Sequence, residues 1–127
     1  MKTVYKICSK NITYGFISFL EKGNVLRYNI EEITKPTKED YWIFAFISYE
    51  DAYKYAEQMT SYFCILKCEA PDNSILARYC SFRWDEDESF WKNFHLNESS
   101  FYIMDTPKGT IVCPWIKPTE IVFNTCK

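Results

Sequence analysis

Seven consecutive residues, Tyr41-Trp42-Ile43-Phe44-Ala45-Phe46-Ile47, are apolar at every position and run directly into a helix signal, and no other stretch restricts the fold as much. Periodicity alone assigns nothing in such a run, but its length suits a strand buried on both faces. Ser48 then stands three residues before Asp51, the spacing of a capping box that opens a helix. Tyr49, Ala52, Tyr53, Ala56 and Met59 follow at helical spacing, with Glu50, Asp51, Lys54, Glu57 and Gln58 on the other face. The pattern predicts a helix over about 49–59.

The flanking segments read mainly as strands. Val4 to Cys8 sets Tyr5 and Ile7 in alternation with Lys6, and Ile12 to Leu20 continues in the same style. Ser9-Lys10-Asn11 is then the turn of a hairpin. Glu21-Lys22-Gly23-Asn24 reads as a second turn, Val25 to Ile30 as a third strand, and the charged, Pro36-containing segment Glu31 to Asp40 as a surface loop. Beyond the helix, Tyr62 to Glu69 alternates Cys64, Leu66 and Cys68 against Phe63, Ile65, Lys67 and Glu69, and Pro71-Asp72-Asn73 ends it. Ser74 to Trp84 reads as one further strand with Arg78, Cys80, Phe82 and Trp84 on one side.

The acidic run Asp85 to Glu88, followed by Phe90, Trp91 and Phe94 at helical spacing, predicts a second short helix over about 86–95. Its acids would meet the positive end of the helix dipole, with Lys92 and His95 at the other end. Asp105 to Thr110 reads as a turn, in which Pro107 sets φ and Gly109 absorbs the reversal. Thr110 to Cys113 and Glu120 to Phe123 are two closing strands. With no repeats and no internal boundary, residues 1–127 are expected to form a single α+β domain with a mostly antiparallel sheet.

Composition narrows the class of function. Phe, Tyr and Trp supply 24 of 127 residues against three glycines and five prolines, which excludes a low-complexity tail or linker. A net charge of −2 argues against a duplex nucleic acid partner, since phosphate neutralisation supplies most of such affinity. Outside Asp85 to Glu88 the balance is 15 basic against 13 acidic residues, compatible with a small anionic ligand. The lysine-rich opening has no signal-peptide core, and no stretch approaches the ~20 apolar residues of a membrane span. The expectation is a soluble, cytoplasmic protein without a membrane partner. Of the six cysteines none forms a CxxC, and a single His95 cannot complete a Cys2His2 site, so buried reduced thiols are expected and no metal or cofactor.

Catalytic signatures are absent. His95 is the one histidine, no cysteine stands in a nucleophile context, and Gly15, Gly23 and Gly109 are too far apart for a phosphate loop. The sequence does bring together Arg78, Phe82, Arg83, Trp84 and Trp91, with two of the chain's three arginines among large aromatics. Arginine forks hold phosphates and aromatic faces stack on bases, the minimum equipment of a nucleotide pocket. The alternative is that the aromatics are core and the arginines pair with the acidic run. Lys6 and Arg27, then Tyr5, Trp115 and Lys117, are weaker candidates for the same pocket.

Three stretches together resemble small, uncharacterised bacteriophage accessory proteins. They are Val4-Tyr5-Lys6-Ile7, then Ile43-Phe44-Ala45-Phe46 through Glu50-Asp51-Ala52 to Tyr55-Ala56, and finally Pro107-Lys108-Gly109-Thr110 with Ile116-Lys117-Pro118-Thr119-Glu120-Ile121. The layout is also faintly similar to a degenerate ADP-ribosyltransferase-like fold, with Lys6 at the first place of its pattern, Ser48 or Tyr49 at the second and Glu69 or Glu120 at the third. The resemblance implies a phage context and the host cytoplasm, and the Arg78 to Trp91 cluster implies the ligand: together they lead to the expectation of a non-enzymatic phage-type protein that binds, and sequesters, a nucleotide-like molecule such as a host defence signal. An ADP-ribosyltransferase-like enzyme and a protein inhibitor of a host factor are the alternatives. The aromatic excess also favours a homodimer or higher oligomer under any of the three.

Overall fold

The computed structural model describes residues 1–11, 15–18, 26–37, 41–59, 62–76, 79–81 and 103–125. They form an α+β fold. The strands are β1 (Lys2–Asn11), β2 (Gly15–Ser18), β3 (Arg27–Tyr28) and β4 (Ile43–Phe46), and the helix α1 (Tyr49–Met59) follows. After it come β5 (Cys64–Ala70), β6 (Ile75–Leu76), β7 (Tyr79–Ser81), β8 (Ile103–Asp105), β9 (Thr110–Cys113) and β10 (Lys117–Asn124). Six strands lie side by side in the order β10-β5-β1-β4-β9-β6, β2 and β3 extend from β1, and β7 pairs with β8 separately. Every described pairing is antiparallel.

The long strand β1 organises the sheet. One edge pairs with β5 from Lys2↔Ala70 to Cys8↔Cys64. The other meets β4 at Tyr5↔Phe46 and β2 from Cys8↔Ser18 to Asn11↔Gly15. Because β4 and β5 are both antiparallel to β1, they are parallel to each other, and α1 is the crossover that carries the chain over β1 between them, a split βαβ unit. As the capping-box spacing predicts, the Asp51 amide donates to Ser48 Oγ at 3.1 Å.

Alternation along β1 divides the core into two layers. Tyr5 and Ile7 face α1, where Ala52 and Ala56 pack with Phe46, Phe63 and Ile65. Val4 and Cys8 face the other way, into a layer of Ile43, Ala45, Leu66, Cys68, Ala70, Ile111 and Cys113 covered by Leu26, Tyr28 and Ile116. Within the apolar run over 41–47, Ile43–Phe46 is therefore a strand flanked on both faces, as its composition predicts, whereas Tyr41 and Trp42 precede the strand and Ile47 is exposed.

A short connection makes the sheet curl. β5 and β6 lie four places apart in the strand order, yet only residues 71–74 join them. Neighbouring strands are ~4.8 Å apart, so a flat sheet would separate these two by about 19 Å. Five Cα steps span at most about 18 Å when fully extended. The link is not extended, because the Ser74 amide turns back to Pro71 O at 3.0 Å. The sheet therefore bends away from α1, and Lys2 Nζ donates to Ser74 O at 2.6 Å across the resulting concave face.

Several expectations shift. The first turn is not at Ser9-Lys10-Asn11, since those residues belong to β1 and pair with β2. The expected strand over Ser74 to Trp84 contains two strands with different partners, β6 on β9 and β7 on β8. The third strand is short, at Arg27–Tyr28, and the last begins earlier than expected, at Lys117. The second helix, 86–95, lies outside the described residues. The loop after β3 is tied to β10 by Glu31 N to Pro118 O at 2.7 Å and by a Thr34/Ile116 bridge.

Glu31 reaches that hydrogen bond with φ at 69°, a conformation that costs a non-glycine residue ~1–2 kcal/mol. Its ion pair with Lys117, 3.6 Å long and exposed, offsets little. Glu31→Gly is therefore expected to hold stability level or raise it by up to ~1 kcal/mol, where glycine normally weakens a chain by about that amount. Urea unfolding measures it, and a loss above ~1 kcal/mol would contradict the strain.

Candidate functional site

The concave face holds the most unusual side chain of the described core. Lys6 is 4% exposed although it stands between Val4 and Cys8 on the central strand. Its Nζ donates to Phe44 O at 2.7 Å and lies 5.9 Å from the centre of the Tyr28 ring. A buried ammonium is costly unless dipoles face it, and here a backbone carbonyl and an aromatic ring do so.

Two buried thiols, Cys68 and Cys113, lie in the field of this charge. Cys8, Cys64, Cys68 and Cys113 are all buried and none is in a disulfide. Burial pushes the Cys68 thiol up to about 12, against the pull of the Lys6 ammonium, and Cys113 adds to the rise. Burial likewise raises Cys113, opposed by the Ser74 hydroxyl, Lys6 and Lys2. Cys68 on β5 and Cys113 on β9 are three places apart in the sheet, so their mutual influence crosses the concave interior. Both stay protonated near neutral pH, when a thiol is a poor nucleophile and a poor metal ligand. Among the described residues no three His, Cys, Asp or Glu side chains are placed to hold a metal ion.

Ser74 closes one end of the face. It is fully buried, and its Oγ has no aligned hydrogen-bond partner, although it lies near enough to the Cys113 thiol to influence it. Sequence reading gave no sign of this residue or of Tyr28. Both gain their place from the curl and from the β3 segment folding over the sheet, which local periodicity does not encode.

Of the residues expected to form a pocket, Lys6 lies on the concave face and Arg27 stands exposed on β3 beside Tyr28. Arg78, Phe82, Arg83, Trp84 and Trp91 lie outside the described residues, although Arg78 and Phe82 flank β7 in the sequence. Tyr5 is on the opposite face from Lys6, with its ring 6.1 Å from Tyr49. Lys117 pairs with Glu31, and Trp115 is half-buried before β10.

The transferase-like positions are not brought together. Lys6 belongs to the concave layer, whereas Tyr49 packs with the layer under α1. Glu69 alternates with Cys68 and Ala70 and so faces away from Lys6. Glu120 is exposed and ion-paired with Lys67 at 3.6 Å, and the Ser48 hydroxyl caps the helix. No described helix is long and apolar enough to cross a membrane. No family model, no curated protein and no solved structure matches this chain.

Proposed function

We propose that this chain is a non-enzymatic binding protein for a small anionic, nucleotide-like molecule, a phage-type accessory protein that sequesters a host defence signal in the host cytoplasm. The observation that carries this reading is Lys6, an ammonium kept at 4% exposure on the concave face. Folding alone does not call for it, because exchanging buried charges for apolar residues of similar volume is often neutral or stabilising. A cation kept on that face nonetheless suits the recognition of an anion. Arg27 and the sequence cluster Arg78, Phe82, Arg83, Trp84 and Trp91 supply further groups of the kind that grip phosphates and stack on bases.

The test is a thermal-shift and calorimetric screen of the whole chain against a nucleotide panel. One member is expected to raise the melting temperature. Arg83→Ala or Trp84→Ala abolishes that response, and Lys6→Met weakens binding tenfold or more while leaving the unliganded melting temperature within a few degrees. No response to any nucleotide would overturn the reading. Turnover of a dinucleotide that is lost on Glu69→Gln or Glu120→Gln would replace it with the transferase-like enzyme. Light scattering with and without ligand tests the accompanying expectation of a homodimer or higher oligomer.

A further inference from the structure

We infer that Cys8 and Cys64 are a redox clasp: oxidation joins them in a disulfide that pins β1 to β5, and reduction releases it. The inference is independent of the nucleotide-like reading above.

Register is the first reason. β1 and β5 pair antiparallel with Cys8 directly opposite Cys64. Residues opposite each other in such a ladder have Cα atoms ~4.5 or ~5.5 Å apart, according to which kind of pair they form, and a disulfide spans roughly 4.4–6.8 Å. Their Cβ atoms lie ~4.5–5.5 Å apart and need to approach by only about 1 Å. Both side chains also belong to the concave layer, so they stand on one face of the sheet. Among the described strands no other two cysteines face each other. Cys68 is opposite Val4 and Pro118, Cys113 is opposite Ile43, and Cys80 is opposite Met104.

The bonding of the reduced thiols is the second. Cys8 Sγ donates to Lys6 O of its own strand at 3.7 Å, and Cys64 Sγ donates to Asn124 Oδ1 at 3.2 Å. Thiols are weak donors, so rotation about the two Cα–Cβ bonds exchanges these contacts for an S–S bond with little movement of the strands.

Position is the third. The Cys8/Cys64 rung ends the ladder between β1 and β5, and the Asn124/Cys64 rung ends the ladder between β10 and β5. Both thiols are fully buried, so an oxidant reaches them when this end of the ladders opens, a local event that costs less than unfolding the sheet. Hydrogen peroxide is small and neutral enough to enter such an opening. One sulfur, as thiolate, takes an oxygen from it: the S–O bond forms, the O–O bond breaks and hydroxide leaves. The second sulfur, as thiolate, attacks the sulfenic acid: the S–S bond forms, the S–O bond breaks and a second hydroxide leaves. The two thiol protons convert both hydroxides to water, and two electrons pass from sulfur to peroxide. The product closes a loop of about 57 residues that contains β2 to β4 and α1, which restricts the unfolded chain.

Peptide mapping of the whole chain tests it, in two samples. One is the folded chain exposed to hydrogen peroxide, and the other is the chain refolded from urea in a glutathione redox buffer, where the thiols react before they are buried. Both are expected to yield a Cys8–Cys64 linked peptide that dithiothreitol separates, with Cys68 and Cys113 still alkylated as thiols. The linked form should melt about 5 °C or more above the reduced form, and the difference should vanish on reduction. Cys68→Ala should form the link as the native chain does, and Cys64→Ala should show no peroxide-dependent rise in melting temperature. Absence of the linked peptide from both samples, or its replacement by a link to another cysteine, would overturn the clasp. A Cys8–Cys64 link that lowers the melting temperature would also overturn it, because the register would then not accommodate the bond.

Discussion

Gly109→Ala is expected to lower the melting temperature by about 10 °C, although it adds a single methyl group at a half-buried turn. Gly109 has φ at 80°, and a side chain in that region costs ~1–2 kcal/mol from backbone sterics alone. A Cβ there would also overlap Asp51 Oδ2 and press on the Asp51 Cγ and Cβ at 3.1 and 3.2 Å. Overpacking of this kind adds ~1–3 kcal/mol.

The position matters because the turn latches the helix entry to the sheet. Thr110 folds back on Pro107 through its amide at 3.2 Å and its hydroxyl at 2.6 Å, and the Ile47 amide donates to Gly109 O at 2.9 Å, one residue before the cap. A displaced Gly109 therefore pulls on β4, β9 and α1 together. The two contributions separate in a double-mutant cycle. Asp51→Ala removes the carboxylate but not the φ constraint, so Gly109→Ala should cost ~1–2 kcal/mol less in that background. Strict additivity would place the whole effect in the backbone, and a single-variant loss below ~1 kcal/mol would contradict the turn geometry.

What the sequence discloses depends on whether a signal is local. The helix at 49–59 is legible because 3.6-residue periodicity and a capping serine are both local, and the observed bounds coincide with the expected ones. The turn around Gly109 is legible for the same reason, since Pro and Gly act on their own dihedrals. Ser9-Lys10-Asn11 misleads because polar residues are also acceptable where β1 runs on to pair with β2 alone. Ser74 to Trp84 misleads differently. Alternation reports that residues are extended, not which strand they join, and β6 and β7 join different ones.

Lys6 shows the same limit at the level of function. The alternation of Tyr5 and Ile7 against Lys6 correctly separates their faces, but it normally implies a solvated polar side. Here β1 is central and β3 and Ile116 cover its second face, so the charge is buried by segments that begin about 20 and end about 110 residues further along the chain. The thiols of the concave layer follow the same logic. Cys64 and Cys68 alternate visibly in β5, whereas the approach of Cys68 to Cys113 exists only because the sheet curls. The arginine and tryptophan cluster was the clearest functional signal in the sequence, and it falls outside the described residues.

That curl has a measurable consequence at high pH, where the protein is expected to lose about 4 kcal/mol of stability between pH 9 and 12 through Cys68 alone. An unfolded thiol ionises near its model value of 9.0, while the folded Cys68 holds its proton to about 12. The folded state thus binds the proton more tightly. Its advantage is fully present below pH 9 and is lost as pH rises through the folded value, at ~1.4 kcal/mol per pH unit within that window. Cys113 is raised as well and acts with the same sign. Tyr53, raised chiefly by the Glu57 carboxylate and then by burial, adds to the decline above pH 10. Glu57→Gln removes the largest of its causes and so reduces this contribution beside that of the thiols.

Urea midpoints across pH 7 to 11.5 should therefore fall more gently in Cys68→Ala than in the native chain, even though the variant starts from a lower neutral-pH stability. Equal slopes would mean that Cys68 ionises in the folded protein at its ordinary value, and would contradict the effect of burial between β5, β1 and β9. Lys6→Met sharpens the test. It removes the cation that opposes the rise, so thiolate absorbance in the folded variant should appear at higher pH than in the native protein. A shift in that direction would place the ammonium and the thiol in one electrostatic environment inside the curled sheet, which is the physical premise for Lys6 as an anchor of an anionic ligand.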